Sequence, residues 1–419
     1  MVNGNIVRAG LSLLVIHLCA AVLCAHPGPF DGRSFQGRIA YSCDGNHNDP
    51  DDWIASPMTL AIFAEAGVKD KLVHYDYNSI LPQTDEKWEK THAESVLGTA
   101  QRYGYTPALF FDDHKDLAGA VASIAKAIND SSAGNPLYFI IAGPVEVPYM
   151  GIQKSDPARR KFVYCISHSR WNDGFASKYT FTHTKRSVID TGVHWVQIPD
   201  QNRLLSTSPY GRPAREEEWR PYHWMRDSAD QKVKWLWERM QVSTRPDPSD
   251  AGMAYFLIGG DEEADPAKLR QLIQEHHVPA PAIRKQVRIE AENFSILDGF
   301  EVEDRKDKGA SHQLELRSKA SQAAIKTTFD EPYAASVDKC GLEVRYSGGQ
   351  GGRFQLSVNG RPLGESWAGS AGRTWKTQAF AAVEIHEGDE IAIAYRGDAE
   401  ARLDYVQLNR IVRAPDAKR

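Results

Sequence analysis

The sequence predicts an α/β domain with a mainly parallel sheet flanked by helices, followed by a C-terminal β-sandwich domain. A chain of 419 residues with 42% hydrophobic content can bury one large core and one smaller core. Between residues 37 and 285, short apolar runs alternate with amphipathic stretches, which is the pattern of a parallel sheet covered on both faces. Between residues 286 and 412, period-two runs and glycine-rich turns take over, which favours a sandwich.

Short apolar runs predict the strands of both domains. In the first domain these are Arg38–Ser42, Leu72–Tyr75, Ala108–Phe111, Leu137–Ala142, Phe162–Ile166 and His194–Ile198. Helical periodicity between them is expected at Thr59–Ala66, Lys87–Tyr103 and Leu117–Asn129. In the second domain the predicted strands are Val287–Ala291, Gly341–Tyr346, Phe354–Val358, Ile391–Tyr395 and Leu403–Leu408. Because ligands gather at the carboxyl ends of parallel strands, polar residues directly after the first set are candidate site residues.

Charge and the N-terminal segment limit the partners of the protein. The formal charge of −5 argues against a nucleic-acid partner, which would favour a basic excess. Residues 1–25 carry Arg8 and an apolar run from Leu11 to Leu23, the pattern of a signal peptide. The run is shorter than the roughly 20 apolar residues that a membrane span needs. We therefore expect a secreted or periplasmic protein without a membrane span after signal removal; its oligomeric state is not predicted.

The segment from Cys43 to Trp53 holds the most informative residues of the chain. It directly follows the first predicted strand and contains four carboxylates, those of Asp44, Asp49, Asp51 and Asp52. Such close carboxylates repel one another unless a cation neutralises them, and oxygen ligands select a hard ion such as calcium. A solvated turn is the alternative, because Asp, Asn, Gly and Pro all favour turns. The position at the end of a buried strand favours the metal site.

This arrangement of an Asp after the first strand, then Asp-Asp and an apolar helix, resembles the nucleoside hydrolase superfamily. The resemblance implies that Asp44 is a calcium ligand and the general base, that Asp52 is a second ligand, and that Asp51 binds sugar hydroxyls. It also implies that the metal holds the attacking water. The spacing is one residue longer than in the simple hydrolase pattern, so either Asp44 or Asn46 takes the first ligand position.

The same resemblance extends through residues 37–285 at four further positions. Asn78 and Asn172 match substrate-contacting asparagines of the family, and Glu146 matches a residue that gives its backbone oxygen to the metal. Asp250 matches a late calcium ligand, although Ser249 stands where the family often has histidine. Each of these residues is also explained as a cap or turn residue.

An aromatic and histidine-containing stretch from Trp219 to Trp224 is expected near the mouth of the site. Histidine can protonate a leaving oxygen, and aromatic faces stack on sugar rings. We therefore take His223 as a catalytic candidate and Trp224 as a substrate-binding candidate. Ordinary packing is the alternative for both.

Residues 286–412 resemble carbohydrate-binding modules of families six and thirty-five. The resemblance rests on Ile289–Phe294, on Thr374 and Trp375, and on Leu403–Val406. It implies a structural calcium ion held by Glu290, Glu292 and Asp404. Trp375 and Tyr346 match aromatic positions that stack on sugar, with a role in the core as the alternative. The asparagine that the family often has before its terminal Asp-Tyr is absent.

Together these features predict a secreted calcium-dependent glycoside hydrolase that acts on a polysaccharide or oligosaccharide. One calcium ion is expected in the active site and one in the second domain, and the expected partner is a carbohydrate substrate. The alternatives are a nucleoside N-ribohydrolase, a polysaccharide lyase and a non-catalytic glycan-binding protein. All rest on the fold-level resemblance, which does not specify the leaving group.

Overall fold

The computed structural model describes residues 28–47, 49–81, 85–174, 182–209, 212–304, 309–334 and 337–410. The predicted signal peptide at residues 1–25 lies outside these ranges. Within them, no helix combines the length and the apolar character needed to cross a membrane.

The first domain is built on a parallel sheet with the strand order β3-β2-β1-β4-β5-β6. The strands are β1 (Arg38–Cys43), β2 (Leu72–Tyr77), β3 (Phe110–Asp112), β4 (Leu137–Ala142), β5 (Val163–Ser167) and β6 (His194–Gln197). In the register, Tyr41 of β1 lies between Tyr75 of β2 and Ile140 of β4. Both faces of the central strands are buried, as the continuous apolar runs of the sequence require.

Helices cover both faces of this sheet. They are α1 (Asp52–Glu65), α2 (Glu86–Tyr103), α3 (Asp113–Asn129), α4 (Glu146–Lys154), α5 (Pro157–Arg160), α6 (Arg170–Gly174), α7 (Lys185–Ile189), α8 (Asn202–Leu205), α9 (Glu216–Trp219), α10 (His223–Arg226), α11 (Gln231–Ser243), α12 (Ala251–Gly259) and α13 (Pro266–Ile273). Local sequence sets their ends. At α2, the Asp85 side chain accepts bonds from two backbone N–H groups, and Gly104 ends the helix with φ 70°.

The strand order reverses between β1 and β4, which defines where a ligand can enter the sheet. The chain runs outward from β1 to β3 on one side and from β4 to β6 on the other. At such a switch point the loops after the two central strands diverge and leave a crevice. The acidic segment after β1 therefore begins at this crevice.

The second domain packs two mainly antiparallel sheets face to face. One sheet has the order β16-β12-β18-β10-β9, with β7 also paired to β18, and the other has the order β14-β13-β17-β11-β8, with β15 paired to β13. The strands are β7 (Gln286–Glu290), β8 (Ile296–Asp298), β9 (Phe300–Asp304), β10 (Leu314–Ser318), β11 (Gln322–Thr328), β12 (Val337–Gly348), β13 (Arg353–Val358), β14 (Arg361–Pro362), β15 (Trp367–Ala368), β16 (Lys376–Ile385), β17 (Glu390–Arg396) and β18 (Ala401–Arg410). The predicted fold class, an α/β domain followed by a sandwich, is confirmed.

Side chains of the second domain enter the core of the first. Tyr333 is fully buried, packs edge-on against Phe256 at 5.8 Å between ring centroids, and donates a hydrogen bond to the Leu257 carbonyl at 2.7 Å. The Tyr164 hydroxyl of the sheet donates to the Asp330 carboxylate at 2.6 Å. The two domains therefore share a packed and hydrogen-bonded interface.

Candidate metal centre and active site

Four carboxylates from two segments of the chain lie at the crevice beside β1. Asp44 and Asp49 lie in the loop after β1, Asp52 begins α1 at the end of that loop, and Asp250 precedes α12. Asp44 is 2% exposed and Asp52 is fully buried. The charges of Asp49 and Asp250 raise the pKa of both Asp44 and Asp52, so the four carboxyl groups are near enough to interact electrostatically. We call these four residues the acidic cluster.

The acidic cluster leaves carboxylate oxygens unsatisfied. Asp44 Oδ2 and both carboxylate oxygens of Asp52 are buried without a hydrogen-bond partner among the described residues. The neighbouring Asp51 also has one such oxygen, Oδ1. Buried acceptors without donors are costly, and ionised carboxylates cost more. These oxygens come from the single stretch between Asp44 and Asp52, and carboxylate oxygens are the donors that a hard cation takes, so the residues fit calcium by their chemistry.

Burial and mutual repulsion make these groups hard to ionise in the absence of a cation. Burial raises the pKa of Asp52 well above its usual value, and the charges of Asp44, Asp250 and Asp49 raise it further. Burial likewise raises the pKa of Asp44, with Asp49 and Asp250 adding to the effect. For Asp49, burial and then the charges of Asp250 and Asp247 raise the pKa to about 8. A bound dication would remove this repulsion.

The structure places Asp44 rather than Asn46 in the cluster. The Asn46 amide is engaged by the loop after β2: its nitrogen donates to the Ile80 carbonyl at 3.2 Å, and its oxygen accepts from the Ile80 amide at 3.1 Å. Asn46 therefore fixes the loop, while Asp44 carries the carboxylate. Gly143, after β4, lies against Asp44 so closely that a side-chain carbon there would come within 2.8 Å of Oδ1.

His168 is a site residue that the sequence interpretation missed. It follows β5, is 1% exposed, and its Nε2 lies 2.6 Å from Asp250 Oδ1. The Gln201 amide donates to Nδ1 at 3.2 Å, so the neutral ring carries its proton on Nε2. Burial lowers the pKa of His168, but Asp200 and Asp250 outweigh burial and raise it to about 9. In either state Nε2–H donates to Asp250 and fixes that carboxylate.

Two residues of the acidic cluster, Asp49 and Asp250, line a cleft of about 710 Å³, and Asp44 and Asp52 lie buried behind it. The walls are formed by residues after β1, after β5 and before α12, together with a serine- and threonine-rich segment. The lining residues are Asp49, Asp51, His168, Ser169, Trp171, Asn172, Asn202, Ser206, Thr207, Ser208, Pro209, Arg245, Asp247, Ser249 and Asp250. Most of the lining residues carry a hydroxyl, amide or carboxylate group, about half of the lining surface is apolar, and Trp171 is 39% exposed. This chemistry suits a polyhydroxylated ligand.

Of the two predicted substrate-binding asparagines, one lines the cleft. Asn172 does so, although it is mostly buried and its amide nitrogen donates to the Ile141 carbonyl at 3.1 Å. Asn78 is fully buried, accepts a hydrogen bond at its side-chain oxygen from His92 Nδ1 at 3.0 Å, and donates to Asp112. Its side chain is thus engaged within the protein, which corrects the prediction of a substrate contact.

Glu146, His223 and Trp224 lie away from the cleft. Glu146 begins α4, and its carboxylate bonds to His183 Nδ1 at 2.9 Å. His223 lies 3.5 Å from the Glu216 carboxylate and packs against Trp237. Trp224 is 9% exposed and borders a different depression. These three residues are not among those lining the cleft, which corrects the expected catalytic role of His223, because the α9–α10 segment folds onto α11 rather than over the cluster.

The two aromatic candidates of the second domain differ in exposure. Tyr346 is 7% exposed and packs between Phe354 and Trp367 in the core, so it offers no face to a sugar. Trp375 is partly exposed, with the Arg345 guanidinium 5.0 Å from its ring centroid. The prediction for Tyr346 is corrected: in β12 its side chain points to the inner face of the sandwich.

No protein-family model matches the chain. Among curated proteins, uncharacterized protein P22 of Formosa agariphila is 30% identical over 243 residues, which cover 54% of this chain and 84% of that protein. The chain belongs to the same family as uncharacterized protein P22. This similarity assigns no activity to the chain, and the acidic cluster and its cleft are the features that bear on function.

Solved structures share similarity with about a third of the chain. A family 43 arabinoxylan arabinofuranohydrolase of Bacillus subtilis is 15% identical, with a TM-score of 0.26, over 32% of this chain and 30% of that enzyme. The family 6 module of a laminarinase from Zobellia galactanivorans is 16% identical, with a TM-score of 0.24, over 30% of this chain and 99% of the module. A family 36 module in complex with calcium and xylotriose is 22% identical, with a TM-score of 0.22, over 29% of this chain and 99% of the module. None of these activities is transferred to this P22-family chain.

Proposed function

We propose that the chain is a calcium-dependent hydrolase that cleaves a bond at the anomeric carbon of a polysaccharide or oligosaccharide. The observation that carries the proposal is the acidic cluster: Asp44 and Asp52 hold buried oxygens without a hydrogen-bond partner among the described residues, and Asp49 and Asp250 line the adjoining cleft. Asp44, Asp49, Asp52 and Asp250 would hold the calcium ion. A bound ion supplies positive charge that lowers the pKa of a nearby water and offsets the repulsion among the carboxylates.

The residues of the chain divide the remaining work. Asp44 accepts a proton from the attacking water, because it is the cluster carboxylate that follows β1 at the switch point and has a free Oδ2. Asp51 and Asn172 line the cleft, where they bind sugar hydroxyls. Trp171 offers an exposed ring on which a sugar face stacks. His168 holds Asp250 in place and is a positioning residue.

Carbohydrate is favoured over a nucleoside base by the composition of the cleft. Serine, threonine, asparagine and aspartate dominate the lining, and Trp171 is the aromatic residue in it. Vicinal hydroxyls match these donors and acceptors. The predicted signal peptide at residues 1–25 also favours an extracytoplasmic polysaccharide.

A digestion panel tests this proposal. Neutral, uronic and sulfated polysaccharides, with nucleosides as a further class, are incubated with the full chain in calcium or in chelator. The proposal predicts new reducing ends that require calcium and that fall by orders of magnitude in Asp44→Asn. Asp113→Asn is the matched control, since Asp113 is an equally buried carboxylate whose charged neighbours are Asp76 and Asp112 instead of the acidic cluster.

The other outcomes separate the alternatives. Release of free base from nucleosides would assign nucleoside hydrolysis, and absorbance of unsaturated uronates would assign a lyase. Glycan binding without any product, unchanged in Asp44→Asn, would leave a non-catalytic binding protein. Each of these three results contradicts the proposal.

A further inference from the structure

The carboxylates Glu290, Glu292 and Asp404 do come together in the second domain. Glu290 ends β7, Glu292 lies in the turn that follows, and Asp404 is on the adjacent strand β18. All three are at most 2% exposed. We call them the module cluster. The family resemblance implies calcium here, so the question is whether the surroundings leave room for an ion.

A cation from the first domain already reaches the module cluster. Lys185, at the start of α7, has a side chain that is 5% exposed. Its Nζ lies 3.1 Å from Glu292 Oε1 and 3.3 Å from Asp173 Oδ2. A buried ammonium group is tolerated only when it is paired, and here both of its partners are buried carboxylates.

A second cation occupies the other side of the module cluster. The Arg345 guanidinium forms an ion pair with Asp404 Oδ2 and donates to the Gly309 carbonyl at 2.9 Å. It thus binds one carboxylate and one loop carbonyl, the two kinds of oxygen that calcium takes in proteins. Asp404 Oδ1 is also occupied, because it accepts from the Ser311 amide at 2.8 Å.

Few carboxylate oxygens of the module cluster are left without a partner, and fixed positive charges stand beside them. Glu290 Oε1 accepts from the Ser311 hydroxyl at 2.9 Å. Among the described residues, Glu290 Oε2 and Glu292 Oε2 are the cluster oxygens without a hydrogen-bond partner. Calcium takes six to eight oxygens. Two open oxygens beside two fixed positive charges do not fit a dication.

We propose that Lys185 and Arg345 take the place of calcium at the module cluster, so that the second domain is anchored to the first by a buried side-chain cation. Arg186, the next residue, strengthens the anchor by donating to the carbonyls of Glu292 at 3.2 Å and Phe294 at 2.7 Å. Asp173, the other partner of Lys185, lies in α6 beside Trp171 and Asn172. The anchor therefore also braces a wall of the cleft.

Calcium stoichiometry of the full chain tests this inference. Isothermal titration calorimetry compares the unmodified protein with Glu290→Gln, which removes a module-cluster charge but keeps an acceptor for Ser311. We expect the number of bound calcium ions to be the same in both proteins, whether or not the acidic cluster binds one. Loss of one calcium equivalent in Glu290→Gln would overturn the inference.

A second measurement covers the case in which Glu290→Gln does not fold. The double variant Asp44→Asn with Asp250→Asn removes carboxylates of the acidic cluster and leaves the module cluster intact. Its Tm is expected to be the same in calcium and in chelator. A rise of several degrees in calcium would show that the second domain binds the ion and would contradict the proposal.

The anchor itself is tested by Lys185→Met against Lys185→Arg. Met keeps the apolar stem but leaves Glu292 and Asp173 unpaired, so we expect a lower Tm and faster proteolysis of the connection at residues 274–285. Arg retains the charge and should preserve most of the protease resistance. Equal resistance in Lys185→Met and the unmodified protein would contradict an anchoring role.

Discussion

Nε2 of His168 lies 2.6 Å from Oδ1 of Asp250. Both residues line the cleft, where the loops that follow β1 and β5 approach the start of α12. His168 has no direct place in the acidic cluster, yet it determines the orientation of one of its carboxylates. The arrangement matches the outer partners of metal ligands, which hold a ligand in one geometry.

Removing this partner should weaken metal binding without removing a ligand. We expect His168→Ala to lower calcium affinity by about 10- to 100-fold, the usual effect of losing such a partner. Isothermal titration calorimetry measures the change. His223→Ala is the control, because His223 is not among the cleft-lining residues, and it should bind calcium like the unmodified protein. Equal affinity in His168→Ala would rule out the positioning role.

In chelator, the protein should become less stable as the pH rises, the opposite of the loss of stability in acid that most proteins show. Burial and the charges of Asp250 and Asp247 raise the pKa of Asp49 to about 8, above the unfolded value of 3.8. A raised folded pKa stabilises the protein below the unfolded pKa, and this contribution is lost as pH rises through 8. We therefore expect Tm in chelator to fall by several degrees from pH 5 to pH 9.

Calcium should largely remove that fall, since the ion compensates the ionised carboxylates. Differential scanning calorimetry in both conditions gives the comparison. A Tm in chelator that stays level or increases toward pH 9 would show that ionising the carboxylates of the acidic cluster does not destabilise the protein.

Without metal, the Asp49 carboxylate should repel the other carboxylates of the acidic cluster. With calcium, it should strengthen binding of the ion. Asp49→Asn removes one charge that raises the pKa of Asp44 and Asp52. We expect a higher Tm in chelator, by a few degrees, together with weaker calcium binding. The opposite change, a lower Tm in chelator, would indicate that Asp49 is stabilised by a protein partner instead of destabilised by its neighbours.

Trp171 should contribute binding energy and little else. Its ring is 39% exposed on the cleft wall, so its removal creates no large core cavity. Loss of stacking is worth about 0.5–1.5 kcal/mol, which corresponds to a KM about 2- to 12-fold higher for Trp171→Ala on the substrate found by the panel. Trp171→Phe should keep most of the substrate affinity. A change in kcat alone would place Trp171 in a different role.

The main strands could be predicted because their side chains are buried on both faces. The apolar runs at Arg38–Ser42 and Leu137–Ala142 fall within one residue of β1 and β4. Short strands were missed: β9 reads Phe-Glu-Val-Glu-Asp, and its two apolar residues are too few for the alternation to stand out from a loop. The edge strand β16 was missed because most of its residues are exposed.

From the residues alone, the candidate site was predictable where its carboxylates are close in sequence, and Asp250 and Asn172 were found only through the family resemblance. Asp44, Asp51 and Asp52 share one loop, so their charge density is visible along the chain. Asp49 stands in the same loop, but its role depends on Asp250, which is about 200 residues away. His168 gave one usable signal, its position directly after a strand. His223 stood in a suggestive aromatic stretch, but tertiary packing turns that stretch toward α11.

Calcium binding by the acidic cluster tests the central claim most directly. Isothermal titration calorimetry with calcium on the chelator-treated, dialysed full chain should give one equivalent for the unmodified protein and for Asp113→Asn, and none for Asp52→Asn. Asp113 is as buried as Asp44 and Asp52 but neighbours Asp76 instead, which makes it a matched control. Absence of calcium binding in the unmodified protein, or binding that persists unchanged in Asp52→Asn, would contradict a calcium centre at Asp44, Asp49, Asp52 and Asp250.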